Sequence, residues 1–193
     1  MSRKGILFVI SGPSGVGKGT IKDLLLSRLT DVRLSISATT RPPREGEVAG
    51  RDYFFLDSQE FSAMINRGEF LEYAQVYTNM YGTPKRYVQD KLSQGYDVLL
   101  EIDIQGAMQV KTKMPQGVFI FIEPPSIDEL AFRLSSRGKD SQESIAARLA
   151  ASHAEMESLK YYDYVVVNDN LEDAVNKVHS IIIAERCRVK NNC

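Results

Sequence analysis

The sequence predicts a three-layer α/β domain built on a parallel, five-stranded core sheet. Three observations carry that expectation. Short apolar runs with little polar alternation, ILFVI at 6–10, VFIFI at 118–122 and DYVVVN at 163–168, read as strands buried on both faces, as a parallel sheet requires. Segments of helical length lie between the strands, the order that right-handed crossover connections produce. A stretch rich in Pro and Gly at 38–52 (ATTRPPREGEVAGRD) interrupts this alternation and opens a smaller inserted α+β lobe, extending to about residue 90.

Taken in order, the strand at 6–10 ends in Ser11-Gly12, and a helix follows from about Thr20 to Leu29. An extended piece at 33–37 leads into the irregular loop, where Pro42, Pro43, Gly46 and Gly50 forbid a regular helix. Within the lobe the sequence predicts a strand at 53–56, a helix from Ser58 to Arg67 closed by Gly68, and an extended segment from Phe70 to Tyr77. A helix through Lys91 ends near Gly95. DVLLEID at 97–103 returns to strand, with Val98, Leu100 and Ile102 on one face and Leu99, Glu101 and Asp103 on the other. Two carboxylates are thereby expected on one strand face. A helix at 107–114 stops at Pro115, and Ser126 with Glu129 reads as a capping box opening a helix to Ser136. Asp140 with Glu143 reads as a second box, opening a helix to about Lys160. Asn170 is placed to cap a final amphipathic helix through Ala174, Val178 and Ile181.

The 193 residues, 43% hydrophobic, suit one compact domain that carries this lobe. Twenty-four basic and 25 acidic residues leave a net charge of −1, so no global field draws the chain to nucleic acid or to an anionic membrane. Anions must be met by local charge. The apolar run near the N-terminus is too short for a signal peptide or a membrane span, which points to a cytoplasmic protein. Cys187 and Cys193 have no metal-ligand pattern and read as free thiols. Nothing in the sequence speaks to oligomeric state.

GPSGVGKG at 12–19 lies between a buried strand and a helix. Gly12, Pro13, Ser14, Gly15, Val16 and Gly17 form a loop whose N–H groups can turn inward onto phosphate oxygens, and Lys18 can reach a transferred phosphoryl group. A glycine-rich turn with an incidental lysine is the plainer alternative; its position between strand and helix favours ATP. Gly19 stands where the common motif has Ser or Thr, so Mg²⁺ receives no hydroxyl from that position and Thr20 is the candidate substitute.

SISATTRPPREGEVAGRDYFF at 35–55, FLEYAQVYTNMYGTP at 70–84 and EIDIQG at 101–106, with GPSGVGK before them and VVND at 166–169 after, resemble the guanylate kinase family through essentially the whole chain. The resemblance implies a phosphate-loop kinase fold and transfer of the γ-phosphoryl group of ATP to GMP, with dGMP as a further acceptor and Mg²⁺ as cofactor. It implies that Arg41 and Arg44, with the hydroxyls of Tyr53 and Tyr81, hold the acceptor phosphate. By composition alone, RPPR is equally a solvated basic loop. Glu72 is implied to read the guanine N–H groups, and Ser37 and Thr83 its carbonyl edge. Asn168 and Asp169 match adenine-side contacts of ATP. The resemblance also implies a helical lid at about 134–150, and Arg133, Arg137 and Arg148 match lid and flanking arginines that close on the phosphates. Glu101 and Asp103 fall near the acceptor and the metal, their duties unseparated; Mg²⁺ is expected on ATP phosphates and waters, with Thr20 or Asp103 as protein contacts. Two rivals remain: a kinase-like protein-binding module that has lost catalysis, and a phosphate-loop kinase for another small acceptor.

Overall fold

A computed structural model describes residues 3–136, 149–150 and 155–189. Along the chain, β1 (Leu7–Ser11) leads through the glycine loop to α1 (Lys18–Arg28) and β2 (Val32–Leu34). The lobe comprises β3 (Ala38–Thr39), β4 (Phe54–Phe55), α2 (Ser58–Asn66), β5 (Phe70–Val76) and β6 (Asn79–Pro84). The chain returns through α3 (Lys85–Ser93), β7 (Asp97–Glu101), α4 (Ile104–Lys113), β8 (Val118–Glu123) and α5 (Ile127–Ser136). It closes with a 3₁₀ turn (Glu157–Tyr161), β9 (Tyr164–Val167) and α6 (Leu171–Arg186).

Strands β2, β7, β1, β8 and β9 form the expected parallel sheet in that spatial order, with Phe8 of β1 between Leu99 and Val118. Alternation along β1 divides the core into two layers. Phe8 and Ile10 pack with Ile21 and Leu25 of α1 and Val175, Val178 and Ile182 of α6. Leu7 and Val9 face Val88 and Leu92 of α3 and Ala107 and Val110 of α4. Each buried Val, Leu, Ile or Phe among them contributes about 1.5–3 kcal/mol. α3 therefore ties the lobe directly to the core sheet.

Several local expectations fail for identifiable reasons. The strand at 163–168 is a sheet edge, not a buried strand: Val166 is inside, whereas Val165 and Val167 are exposed. The lobe contains a second, four-stranded sheet in the order β4-β3-β6-β5. Its strand β6 escaped the sequence pattern, because Asn, Gly and Pro in NMYGTP are poor strand formers and the antiparallel ladder with β5 supplies the order, and β3 escaped because it is two residues long and is ordered by pairing with β4 and β6. The intervening turn places Tyr77 at a φ of 54°. Of the second capping box, Asp140 and Glu143 lie outside the described residues; of the predicted helix, residues 149–150 and 155–156 are helical and lead into the 3₁₀ turn through Tyr161. At the first box, Ser126 accepts from the Glu129 N–H at 3.1 Å, but the Glu129 carboxylate turns to Arg133.

One fully buried carboxylate was not anticipated. Asp97, the first residue of β7, accepts from Arg3 Nη2 at 2.9 Å and the Ile6 N–H at 2.8 Å on one oxygen, and from Arg186 Nε at 2.7 Å on the other. Arg186 also reaches Asp31 at 3.0 Å. This clamp joins the chain before β1, the start of β7 and the end of α6. Cys187 beyond it is an exposed free thiol. Among the described residues no helix is long and apolar enough to cross a membrane.

Candidate active site

The phosphate loop begins where β1 ends. Gly17, immediately before α1, has a φ of 97°, and a Cβ there would lie 2.6 Å from Asn168 Nδ2, so the position demands glycine twice over. That Asn168 amide donates to the Val16 carbonyl at 2.8 Å, stitching the loop to the segment after β9. Lys18 bends back, its ammonium 2.6 Å from the Gly12 carbonyl and 2.9 Å from that of Pro13. Beside the loop, a cleft of about 400 Å³ is lined by Gly15, Thr20, Phe132, Arg133, Asn168 and Asp169. Arg133 is held there by Glu129 at 2.9 Å and by the Asn168 carbonyl at 3.2 Å. Pro13 is buried, whereas Ser14 and Thr20 are exposed.

Across the sheet end, the lobe presents a second set of groups. Glu72 on β5 is 7% exposed, and the hydroxyl of Thr83 on β6 donates to it at 2.5 Å. Burial pushes its carboxyl above the usual range; the Thr83 hydrogen bond opposes this and the nearby charge of Asp103 reinforces it. Gly106 at the start of α4 sits so close that a Cβ there would lie 3.2 Å from Glu72 Oε2 and 3.3 Å from Asp103 Oδ1. Ser37 and Tyr53 line a small cavity of about 150 Å³ with Thr83, Lys22 and Glu101. Thr83 is thus committed to Glu72 as well as facing this cavity.

In the loop between β3 and β4, Arg41 Nη2 contacts both oxygens of Glu47, at 2.8 and 3.0 Å, and its guanidinium lies 5.5 Å from the Tyr53 ring centroid. Tyr53 meets Tyr81 edge-on at 6.1 Å. Arg44 is exposed, and its backbone N–H donates to Glu47 Oε2 at 2.7 Å. Glu47 carried no signal of its own beyond lying six residues after Arg41 and three after Arg44.

Glu101 and Asp103 do not share a strand face, because β7 ends at Glu101. Asp103 is instead the exposed N-cap of α4, accepting from the Gly106 N–H at 2.7 Å. Glu101 pairs with Lys22 at 3.2 Å. Desolvation would lower the Lys22 pKa, but the charges and hydrogen bonds of Glu101 and Asp23 together outweigh it and hold the ammonium above its ordinary value. Lys22 was missed although it stands one helical turn after Lys18, a spacing that puts both on one face of α1. Glu155 was also missed: burial raises its carboxyl, opposed by the charge of Lys18 and reinforced by that of Asp103. Arg137 and Arg148 lie outside the described residues.

A parallel sheet whose first strand passes through a glycine loop and a lysine into its first helix, with a small second sheet inserted across the cleft, is the architecture of phosphate-loop kinases that act on small acceptors. Comparison with known proteins narrows the class. The family model for guanylate kinase matches residues 4–185. A guanylate kinase of Syntrophomonas wolfei is 65% identical over 99% of this chain and 98% of its own length, and one of Caldanaerobacter subterraneus is 53% identical over 100% and 93%. The crystal structure of guanylate kinase from Anaplasma phagocytophilum superposes with a TM-score of 0.75 at 34% identity, covering 98% of this chain and 90% of that one. The chain belongs to the guanylate kinase family.

Proposed function

We infer that this protein transfers the γ-phosphoryl group of ATP to GMP, giving ADP and GDP. The observation that carries the acceptor is the buried Glu72–Thr83 pair on the lobe, opposite the phosphate loop. A carboxylate so placed accepts from the ring N–H and exocyclic amine of guanine, whereas adenine presents an unprotonated ring nitrogen there and leaves acceptors opposed. Arg41, Arg44, Tyr53 and Tyr81 hold the acceptor phosphate. Lys18 and the loop N–H groups hold the phosphates of ATP, and Arg133, Asn168 and Asp169 border its base-side cleft. Arg137 and Arg148 join them as lid residues. In this division of labour residues 38 to about 90 act as the acceptor lobe and 134–150 as the lid.

The oxygen donors around the loop suit a hard cation. A Cβ at Gly19 would lie 3.6 Å from Glu101 Oε1, so position 19 already borders a carboxylate, with the Thr20 hydroxyl next along the chain. In this reading Mg²⁺ is carried chiefly by phosphates and water, with Thr20 or Asp103 as protein contacts. The ion would neutralise charge on the transferring phosphoryl group. The chain's own part is positioning: transfer runs through a loose transition state with charge on the equatorial oxygens, so Lys18 and the arginines carry the acceleration and no general base is needed. A coupled ADP-release assay over a panel of nucleoside monophosphates tests this reading. GMP should stand far above AMP, CMP and UMP; equal rates for GMP and AMP would overturn it.

A further inference from the structure

We propose that Glu47 is a positioning residue of the acceptor-phosphate cradle, holding the Arg41 guanidinium and the Arg44 backbone amide in one fixed arrangement. The inference rests on reading Arg41 and Arg44 as ligands of that phosphate. The loop that carries them holds two prolines and two glycines between β3 and β4, and apart from an isolated bridge between Ala49 and Tyr53 it has no strand pairing. Its arginines must therefore be placed by local contacts. One carboxylate makes them: Glu47 takes Arg41 Nη2 at 2.8 and 3.0 Å and the Arg44 N–H at 2.7 Å, while its own N–H donates to the Arg44 carbonyl at 3.1 Å. The pair is largely shielded, with side-chain exposures of 13% for Arg41 and 20% for Glu47. Arg41 Nη1 is fixed separately to the Pro42 carbonyl at 2.7 Å, and the guanidinium lies within 5.9 Å of the ring centroids of both Tyr53 and Phe55.

A carboxylate beside a phosphate site can either orient the arginine or compete for it, and the two roles predict opposite signs. Glu47 is anchored by the Arg44 amide and by its own turn, so it has no need to leave when a phosphate arrives. A planar guanidinium with five N–H donors can serve a carboxylate and a phosphate together. Orientation follows: the arginine is already extended and aimed, and less freedom is lost when the acceptor binds.

The test is calorimetric binding of GMP and of guanosine to the full chain, as wild type, Glu47→Ala, Glu47→Gln and Glu47→Asp, with thermal unfolding recorded for each. Glu47→Ala should weaken GMP by about tenfold and leave guanosine unchanged. Glu47→Gln, whose single amide oxygen can still accept from both partners but without charge, should recover to within about threefold of wild type, and Glu47→Asp, a methylene shorter, should fall between them. Unchanged or tighter GMP binding in Glu47→Ala overturns the proposal, as does a parallel loss of guanosine, which would mark general damage to the lobe. Should the alanine variant unfold, Glu47→Asp carries the test on the same criteria. A wild type that binds GMP no more tightly than guanosine would overturn the phosphate-cradle reading itself, a result distinct from any effect of Glu47.

Discussion

Asp97 and Glu72 are both buried carboxylates, and they are provided for in opposite ways. Asp97, at the start of β7, receives two arginines and a backbone N–H, so its charge is matched where it stands. Glu72, on the lobe beside the start of α4, receives its hydrogen bond from the hydroxyl of Thr83 and pays for burial with a raised carboxyl pKa. A buried charge whose partners are complete holds structure together. One with fewer donors can take them from a ligand, which is the role proposed for Glu72. The difference lies in the supply of partners, since the depth of burial is similar.

Four measurements would break or sharpen that contrast. Glu72→Ala should lower kcat/KM for GMP about a thousandfold, roughly 4 kcal/mol, and collapse the preference over AMP, while ATP affinity stays within about twofold. Retention of both the GMP rate and the preference would place base reading elsewhere. Asp97→Ala should do the reverse. Leaving Arg3 and Arg186 without their shared partner should destabilise the fold by about 3 kcal/mol and lower Tm by on the order of 10 °C, with kcat/KM near wild type well below melting. Lys18→Met should fall on the catalytic side, losing on the order of a hundredfold in kcat, about 2.7 kcal/mol, with Tm unchanged.

The smallest effect carries the sharpest sign. Because the Glu72 carboxyl is raised above its ordinary 4.5, the folded protein binds more protons than the unfolded chain across the window just above that value. Stability therefore falls as pH rises through the window, and the penalty persists at neutral pH. Glu72→Gln should stabilise the protein at pH 7, with the gain shrinking as pH falls through the window above 4.5 and gone below it, read by denaturant unfolding at several pH values. The corresponding change at Asp97 should destabilise at pH 7.

How legible each region was in the sequence follows the range of the forces involved. The buried strands β1, β7 and β8 and the phosphate loop declare themselves locally, through apolar runs and glycine spacing. Asp103 was misplaced because strand alternation says nothing of where a strand stops, and a capping hydrogen bond to Gly106 stops this one. β9 looked buried because its apolar run is real, but only its neighbours decide that it lies at the edge. The Asp97 clamp could not be read at all, since its partners lie 94 and 89 residues away. Glu72 was singled out by its setting in FLEYAQ; that it is buried against Thr83 came from the pairing of β5 with β6.

The clamp also sets a timetable for synthesis. Arg3 emerges from the ribosome long before Asp97, but Arg186 follows it by 89 residues. At about 5–20 residues per second, roughly 4–18 s separate translation of the carboxylate from that of its second arginine. During that interval the nascent sheet can assemble β1, β2, β7 and β8, yet one Asp97 oxygen still lacks its donor, which resists burial. Completion of the nascent fold therefore waits on its last helix, and slow codons before residue 186 should lengthen the time that unfinished chains remain open to chaperones and proteases.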